Sequence, residues 1–271
     1  MLLAGYDHFL SVAEELRWDE RALDLRHDAE NWPQLGEGQR RRLTVLLAGF
    51  CIGEAAFAGE LEPFAIADDP PERAACFRAQ AADEGRHARF FDRVAVEVAC
   101  APGQGAEQRR DALRAVLRPE FCELFEVRLP AAARRLGVGA ARLGDAVGLY
   151  HMVLEGVVFT AGQLTMLELL GDVELPGLRG GVELVLRDER WHLGFGARVL
   201  QDVGIEEPAL ERLLAGDAEA LDAWGDVLDE AMRERVARQH RRRLRAVGLA
   251  PATPAIPPRP ARGERLLDRV Q

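Results

Sequence analysis

The chain has 271 residues, enough for one large domain or two small ones, and carries a formal net charge of −10 with 48 % hydrophobic residues. This acidic balance argues against a general binder of nucleic acids or anionic membranes, since such proteins usually carry a basic excess. No run reaches the roughly 18 uninterrupted apolar residues that a membrane span needs. The N-terminus also lacks a basic leader followed by a long apolar run. We therefore expect a cytoplasmic protein with no membrane span.

The four cysteines stand far apart in the sequence, at Cys51, Cys76, Cys100 and Cys122. They form no CxxC pair and no dense framework of the kind seen in small disulfide-rich domains. We therefore expect reduced thiols, most of them buried.

Helical spacing of apolar residues dominates the sequence, whereas the alternation typical of β-strands is scarce. In chain order the helical segments are 38–64, 70–99, 110–137, 141–171, 176–204 and 208–248. Proline lacks a backbone N–H, so the third segment is predicted to be interrupted at Pro119 and Pro130. The fourth is apolar enough for a helix buried on most sides. The pattern predicts an all-α fold, a helical bundle with additional helices.

The last residues are rich in proline, which does not continue a helix. We therefore expect one helical domain over residues 1–248 and a loosely held C-terminal tail over residues 249–271.

Two stretches repeat the spacing Asp-Glu-x-x-His, "DEGRH" at 83–87 and "DERWH" at 188–192. From the composition, this pattern is expected about 0.04 times by chance, so two copies indicate a shared role. Residues three apart lie on one face of a helix, so Glu84 and His87 can converge on one ion. The same holds for Glu189 and His192.

Two further glutamates lie within apolar helical segments. Glu54 shares its helix face with Phe50 and Phe57, and Glu155 is surrounded by valine, leucine and phenylalanine. A buried carboxylate is costly unless it is paired or binds a metal. Four-helix bundles with two metal ions use one Glu from each of two helices and a Glu-x-x-His pair from each of the other two.

The order Glu, ExxH, Glu, ExxH therefore predicts a site for two first-row metal ions, iron or manganese. The predicted ligands are Glu54, Glu84, His87, Glu155, Glu189 and His192. For an ExxH pair taken alone, the alternative is a solvated helix face. For Glu54 taken alone, the alternative is a half-buried glutamate paired with an arginine.

With these motifs, the chain resembles the ribonucleotide reductase small-subunit superfamily of the ferritin-like class over roughly residues 15–200. The segment from Arg17 to Glu54 also resembles that family's entry into its first ligand helix. The resemblance implies a ferritin-like four-helix bundle core and the same six ligands. It also implies a chain of hydrogen bonds outside the metal ligands, in which Trp18 and Asp188 are joined to His87. By the same resemblance, we expect a homodimer.

Within that superfamily, the radical-generating subunits usually carry a tyrosine where this chain has Phe91, although some use phenylalanine with a manganese/iron centre. This chain has only Tyr6 and Tyr150, and its tail contains no tyrosine that could relay a radical to a large subunit. These features favour the branch of ligand-binding oxidases, which bind a fatty acid.

In that branch, a tyrosine five residues before the third-helix glutamate forms a cross-link to a valine. Tyr150 stands at the tyrosine position, but Phe57 replaces the valine, which leaves the cross-link open. A regular helix would separate Tyr150 from Glu155 by about 140° around its axis, so the approach of Tyr150 to the site needs a π-bulge or a similar distortion. A packed aromatic residue is the alternative.

His151 lies four residues before Glu155 on the same helix face. We interpret it as a core histidine with a hydrogen-bonded partner, a seventh metal ligand being the alternative. Together with Phe57, Phe91 and Phe159 it is a candidate for lining the pocket.

The leading hypothesis is an O₂-activating oxidase or oxygenase with a dinuclear Fe/Fe or Mn/Fe centre. It would attack a C–H or N–H bond of a small or fatty-acid-like ligand, with an electron donor that the sequence does not identify. The alternatives are a radical-generating reductase subunit and a non-catalytic ferritin-like binder of metal or lipid.

Overall fold

The structure is a computed structural model that describes residues 3–67, 70–207, 209–211, 217–246 and 248–249. These residues form helices and no strand, so the predicted all-α fold is confirmed. The predicted tail lies outside the described residues apart from Leu249. The α-helices described are α1 (Tyr6–Glu15), α2 (Arg26–Asn31), α3 (Glu37–Glu60), α4 (Glu62–Ile66), α5 (Pro71–Glu97), α6 (Ala106–Arg114), α7 (Pro119–Cys122), α8 (Leu129–Gly137), α9 (Leu143–Val147), α10 (Thr160–Leu169), α11 (Pro176–Val203), α12 (Asp217–Asp222) and α13 (Glu230–Ala246). The remaining helical segments are π1 (Glu123–Arg128), π2 (Gly148–Phe159) and 3₁₀ turns at Glu20–Ala22, Trp32–Gln34 and Gly225–Val227.

Four long rods form the core of the molecule. They are α3, α5, α11 and the continuous rod made of α9, π2 and α10. The α3 helix packs along α5 and against α10, while α11 packs against α5 and against the π2–α10 rod. Apolar side chains that are less than a tenth exposed fill the space between them. The predicted four-helix bundle core with additional helices is therefore present.

The middle of the rod made of α9, π2 and α10 is π-helical. A π turn bonds each N–H to the carbonyl five residues earlier, so it changes which side chains share a face. Side chains from the C-terminal part of the chain bind carbonyl groups of π2: the Trp224 indole N–H donates to Val158 at 2.7 Å, and Arg243 donates to Gly156 at 2.5 Å. These donors stabilise π2 in its wider conformation.

Of the two interruptions predicted in the third helical segment, the one at Pro119 is correct and the one at Pro130 is wrong. The helix does start afresh at Pro119, the first residue of α7. At Pro130 the chain continues without a break from π1 into α8. The wider π turn before Pro130 moves aside the carbonyl that its ring would otherwise contact, so the missing N–H does not end the helix.

Two glycines of α3 lie under large aromatic rings. A Cβ atom on Gly49 would lie 2.4 Å from the Trp224 ring, and one on Gly53 would lie 2.4 Å from the Phe159 ring. Both distances are far below van der Waals contact. The absence of a side chain at these two positions lets the rings pack directly against the α3 backbone.

All four cysteines are free, as expected. The expectation that most of them are buried is wrong: Cys51 and Cys76 are buried, whereas Cys122 is half-buried and Cys100 is exposed. Cys100 follows the end of α5 in a turn with a positive φ of 51°, outside the packed rods.

Two helical stretches of the described residues reach the length and mean hydropathy of a membrane span, namely 37–66 and 143–169. Most of each apolar window is buried inside the protein, 61 % and 72 % respectively. The burial shows that their apolar composition serves the bundle core.

Asp28 holds the start of α11 in place. This fully buried carboxylate accepts hydrogen bonds from the backbone N–H groups of Gly177 (2.9 Å) and Leu178 (2.7 Å). The first N–H groups of a helix have no partner within the helix, and a carboxylate there also interacts favourably with the helix dipole.

We expect Asp28→Ala to lower the free energy of unfolding by about 2–4 kcal/mol, because two buried N–H groups lose a charged acceptor. Chemical denaturation measures this value. Asp24→Ala is the matched control, since the Asp24 carboxylate accepts from the backbone N–H of Arg26 at an exposed position. Equal destabilisation by the two substitutions would contradict the assigned role of Asp28.

Candidate metal centre

The structure brings together the six side chains that the sequence analysis proposed as metal ligands. Each is at most 2 % exposed, and the four rods of the bundle supply them. The α3 rod supplies one glutamate, the π2 segment supplies another, and α5 and α11 each supply an ExxH pair. The six are Glu54, Glu84, His87, Glu155, Glu189 and His192.

Two of the carboxylates lie between the two imidazoles. Oxygens of Glu84 lie 3.4 Å from His87 Nδ1 and 3.3 Å from His192 Nδ1. Oxygens of Glu189 lie 3.9 Å and 3.5 Å from the same two nitrogens. Both glutamates therefore lie where a carboxylate could contribute an oxygen to each of two ions.

The other two carboxylates each face one imidazole. Glu54 lies 3.5 Å from His87 Nδ1, and Glu155 lies 3.6 Å from His192 Nδ1. Potential ligand atoms within 4.8 Å of one another form two groups that share Glu84. We call the group at Glu54 and His87 position A and the group at Glu155 and His192 position B.

Most donor atoms of these side chains fit a metal centre, because they have no hydrogen-bond partner among the described residues. Eight buried side-chain atoms of the six residues have no hydrogen-bond partner within the described part of the chain. Buried polar groups are almost always paired in folded proteins, so eight unpaired atoms around one point are exceptional. Carboxylate oxygen and imidazole nitrogen are ligands that iron and manganese accept.

The electrostatics of the centre also favour cations. Burial raises the pKa of Glu54 and Glu155 well above the ordinary value and raises that of Glu189, because desolvation disfavours a buried carboxylate. For Glu84, burial acts in the same direction, but His192 and His87 outweigh it and hold the pKa well below normal.

The two imidazoles respond in the opposite way. Burial would lower the pKa of His87 and His192, but neighbouring carboxylates outweigh it and raise both values well above normal. The carboxylates contributing most are Glu54 at His87 and Glu84 at His192. The cluster thus attracts positive charge, which two divalent ions would supply.

The structure contains the Trp18–Asp188–His87 relay that the resemblance implied. The Trp18 indole N–H donates to Asp188 Oδ2 at 2.7 Å, and the same oxygen lies 3.2 Å from His87 Nε2. Burial raises the pKa of Asp188, but the hydrogen bonds from His87 and Trp18 outweigh it and hold that pKa below normal. An ionised Asp188 keeps the proton of His87 on Nε2 and leaves Nδ1 facing position A.

A second relay, not predicted from the sequence, contacts the other histidine. Asp83 Oδ2 accepts from the Trp191 indole N–H at 3.1 Å and lies 3.4 Å from His192 Nε2. Each Asp-Glu-x-x-His motif therefore supplies the aspartate that contacts the histidine of the other motif. The repeated aspartate was the signal in the sequence.

Arg86 lies between the two relays. Its guanidinium donates to Asp83 and, at 3.3 Å, to Asp188. One buried cation therefore links both aspartates.

Two hydrogen-bonding residues lie beside position B: His151, which was predicted to have a hydrogen-bonded partner, and Gln80, which was not singled out from the sequence. The Gln80 amide donates to Glu155 Oε1 at 2.6 Å and to Glu84 Oε1 at 3.3 Å. His151 Nε2 lies 3.0 Å from Gln80 Oε1. This contact favours the interpretation of His151 as a core histidine, since it belongs to neither group of potential ligands.

Tyr150 reaches the centre through the π-helical distortion. Its hydroxyl donates to Glu84 Oε1 at 3.0 Å, and its ring centroid lies 4.6 Å from that of Phe57. Burial raises its pKa well above normal, so the phenol remains protonated. The π-helical distortion that Tyr150 was predicted to need is therefore present, at Gly148–Phe159.

The aromatic residues proposed for a pocket are packed against one another. Phe57 and Phe159 have ring centroids 4.8 Å apart, and Phe91 stacks on Phe50 at 4.8 Å. All of them are fully buried. They form a dry aromatic wall, and their role in lining a ligand pocket stays a prediction.

A cavity of about 1340 Å³ opens elsewhere, between π1, α8 and the outer face of π2. Leu149 and Val153 contribute to its lining, but none of the four predicted pocket residues does.

The sequence model of a family described as "Ribonucleotide reductase, small chain" matches residues 6–217. The ribonucleoside-diphosphate reductase subunit beta of Chlamydia pneumoniae is 23 % identical over 210 residues, covering 75 % of this chain. The ribonucleoside-diphosphate reductase small chain of Ostreid herpesvirus 1 is 23 % identical over 228 residues, covering 78 % of this chain. This chain spans 60 % and 38 % of the length of those relatives.

Solved structures of R2-like ligand-binding oxidases are also similar. A variant with an anaerobically reconstituted Mn/Fe cofactor has a TM-score of 0.77 at 22 % identity, covering 91 % of this chain and 94 % of that chain. Another variant with an aerobically reconstituted Mn/Fe cofactor has a TM-score of 0.74 at 20 % identity, with the same coverage. The likeness shows that the ferritin-like fold predicted from the sequence is correct.

We expect Glu54→Gln to weaken one step of metal binding and Glu84→Gln to weaken both. Glu54 faces position A alone, whereas Glu84 contacts both imidazoles. Anaerobic titration with Mn(II), followed by counting of the bound ions, measures each step. Equal effects of the two substitutions would contradict the distinction between terminal and bridging carboxylates.

Proposed function

Because the chain belongs to the ribonucleotide reductase small-chain family, we propose that it is a di-metal carboxylate oxidoreductase that uses O₂ to oxidise an organic ligand. The observation that carries the proposal is the convergence of eight unpartnered donor atoms from four rods in a dry interior. We propose Mn/Fe or Fe/Fe as the metal pair, since the similar oxidase structures carry a Mn/Fe cofactor.

When bound, such a pair of ions supplies the electrons for reducing O₂ and the oxidising power for attack on a C–H or N–H bond. In this proposal, Glu84 and Glu189 would contribute to both ions, while Glu54 and Glu155 would complete positions A and B. The imidazoles supply Nδ1 to the ions because their Nε2 atoms are held by the two relay aspartates.

The side chains around the centre control protons and water. The Tyr150 hydroxyl, 3.0 Å from Glu84, is the nearest phenolic donor to the carboxylates and can supply a hydrogen atom or hold a proton there. The packed rings of Phe57, Phe91 and Phe159 exclude water, which strengthens electrostatic interactions at the centre. These apolar surroundings favour a small apolar substrate or the hydrocarbon chain of a fatty-acid-like one.

A second candidate function is the generation of a radical for a reductase. The family match and the two reductase relatives support it. Within the whole sequence only Tyr6 and Tyr150 are available to hold a tyrosyl radical. We prefer the oxidase proposal, because this chain spans 94 % of the length of a similar oxidase structure but only 60 % and 38 % of the length of the two reductase relatives.

Anaerobic loading with Fe(II) and Mn(II), followed by exposure to O₂, tests the proposed function. We expect two ions per chain, O₂ consumption and, with reductant and a fatty acid, an oxygenated or desaturated product detected by mass spectrometry. The double variant Glu84→Gln, Glu189→Gln is the control. A persistent tyrosyl signal in electron paramagnetic resonance without product would favour the radical subunit, and metal uptake without O₂ consumption would contradict both.

We expect metal binding to release protons and to weaken as the pH falls. The raised pKa values of Glu54, Glu155, His87 and His192 mean that the metal-free centre holds protons, which divalent ions must displace. Calorimetric titration in two buffers of different ionisation enthalpy counts the released protons. A binding enthalpy independent of the buffer would contradict this prediction.

A further inference from the structure

Positions A and B offer similar side chains but different numbers of free oxygen atoms. We propose that Gln80, held in orientation by His151, restricts Glu155 to ligation through one oxygen and so makes the two metal positions unequal. This inference rests on the proposed function, because it concerns which ion occupies which position.

The difference appears in the partners of the carboxylate oxygens. Both oxygens of Glu54 are buried and unpartnered, so position A has a terminal carboxylate that can bind an ion through two atoms. Only Oε2 of Glu155 is unpartnered. Its Oε1 accepts the 2.6 Å hydrogen bond from the Gln80 amide.

The bridging carboxylates carry the same asymmetry. Both oxygens of Glu189 are unpartnered, whereas Glu84 Oε1 accepts from Tyr150 at 3.0 Å and from Gln80 at 3.3 Å. Glu84 Oε1 is the oxygen that lies 3.3 Å from His192 Nδ1, so the Gln80 NH₂ group donates to two oxygens on the side of position B and to no oxygen of Glu54 or Glu189. Hydrogen bonds to a carboxylate withdraw negative charge from it, so position B binds its ion with fewer and weaker oxygen donors.

His151 determines which end of the Gln80 amide faces the carboxylates. Its Nε2 lies 3.0 Å from Gln80 Oε1. In the neutral tautomer with the proton on Nε2, the ring donates to that oxygen, and the amide NH₂ is then turned toward Glu155. Burial and the nearby His192 lower the pKa of His151 to about 3, so the ring stays neutral. Gly196 provides the space, since a Cβ atom there would lie 2.3 Å from His151 Cγ.

Unequal positions have a chemical consequence. Raw affinities of nitrogen and oxygen sites increase from Mn²⁺ to Fe²⁺, so a protein that holds different ions at two adjacent positions must select by ligand number and geometry. Gln80 supplies such a difference: position A can surround its ion with more oxygen atoms than position B. The first ion therefore binds at position A.

The variant Gln80→Met tests the inference, because methionine has a similar length and no N–H donor. Anaerobic Mn(II) titration followed by electron paramagnetic resonance gives two stepwise dissociation constants. We expect their ratio to fall by about tenfold in Gln80→Met, as Glu155 gains a second free oxygen. In infrared difference spectra, we expect a change in carboxylate stretching that indicates two-oxygen ligation.

Gln163→Met is the matched control. Gln163 is a buried helical glutamine whose amide atoms have no hydrogen-bond partner among the described residues. This variant should keep the ratio and the infrared spectrum of the parent protein. If Gln80→Met does not fold, His151→Phe provides the same test, because it leaves Gln80 in place but removes the group that orients its amide.

The outcomes separate the inference from the proposed function. Failure of the parent protein to bind two ions would overturn both. Two ions bound with the same ratio of constants and unchanged infrared bands in Gln80→Met would overturn the role of Gln80 and leave the proposed function intact. A reduced ratio together with new carboxylate bands supports the inference.

Discussion

Burying four carboxylates around one point is the constraint on which the rest of this structure depends. Each ionised carboxylate loses its hydration, and each repels the other three across only a few ångströms. The buried cation Arg86 contacts Asp83 and Asp188 rather than any of the four glutamates. The negative charge of the four glutamates is therefore left for ions to neutralise.

The two helices that carry the Asp-Glu-x-x-His motifs, α5 and α11, each supply an aspartate that contacts the histidine of the other. Asp83 on α5 contacts His192 on α11, and Asp188 on α11 contacts His87 on α5. This crossed arrangement means that neither helix can rotate or slide without disturbing the imidazole of the other. The chemistry of the centre and the packing of the bundle are thus maintained by the same side chains.

Much of the site followed from the sequence because its spacing is a property of single helices. The pairs Glu84–His87 and Glu189–His192 each lie within one turn, so their shared face was predictable. Glu54 and Glu155 were recognisable because charged residues are rare in such apolar surroundings. The spacing within single helices does not say that the six side chains meet. That prediction came only from the known pattern of di-metal bundles.

Other features depend on contacts between distant segments. Gln80 has no distinctive pattern on α5, and its role becomes visible only where π2 brings His151 beside it. The change from α- to π-helix over residues 148–159 and the unbroken passage at Pro130 depend on neighbouring packing, which local propensity does not describe. The exposure of Cys100 likewise follows from the turn after α5 and not from its neighbours in sequence.

The contact between Gly49 and Trp224 has a consequence for how such a protein can evolve. Glycine in the middle of a helix costs about 1 kcal/mol relative to alanine, yet alanine at this position would overlap the indole. A smaller residue in place of the indole would leave an empty space beside α3. Neither position tolerates change alone, so lineages that alter one should alter the other, and this covariation would join two parts of the chain that lie far apart in sequence.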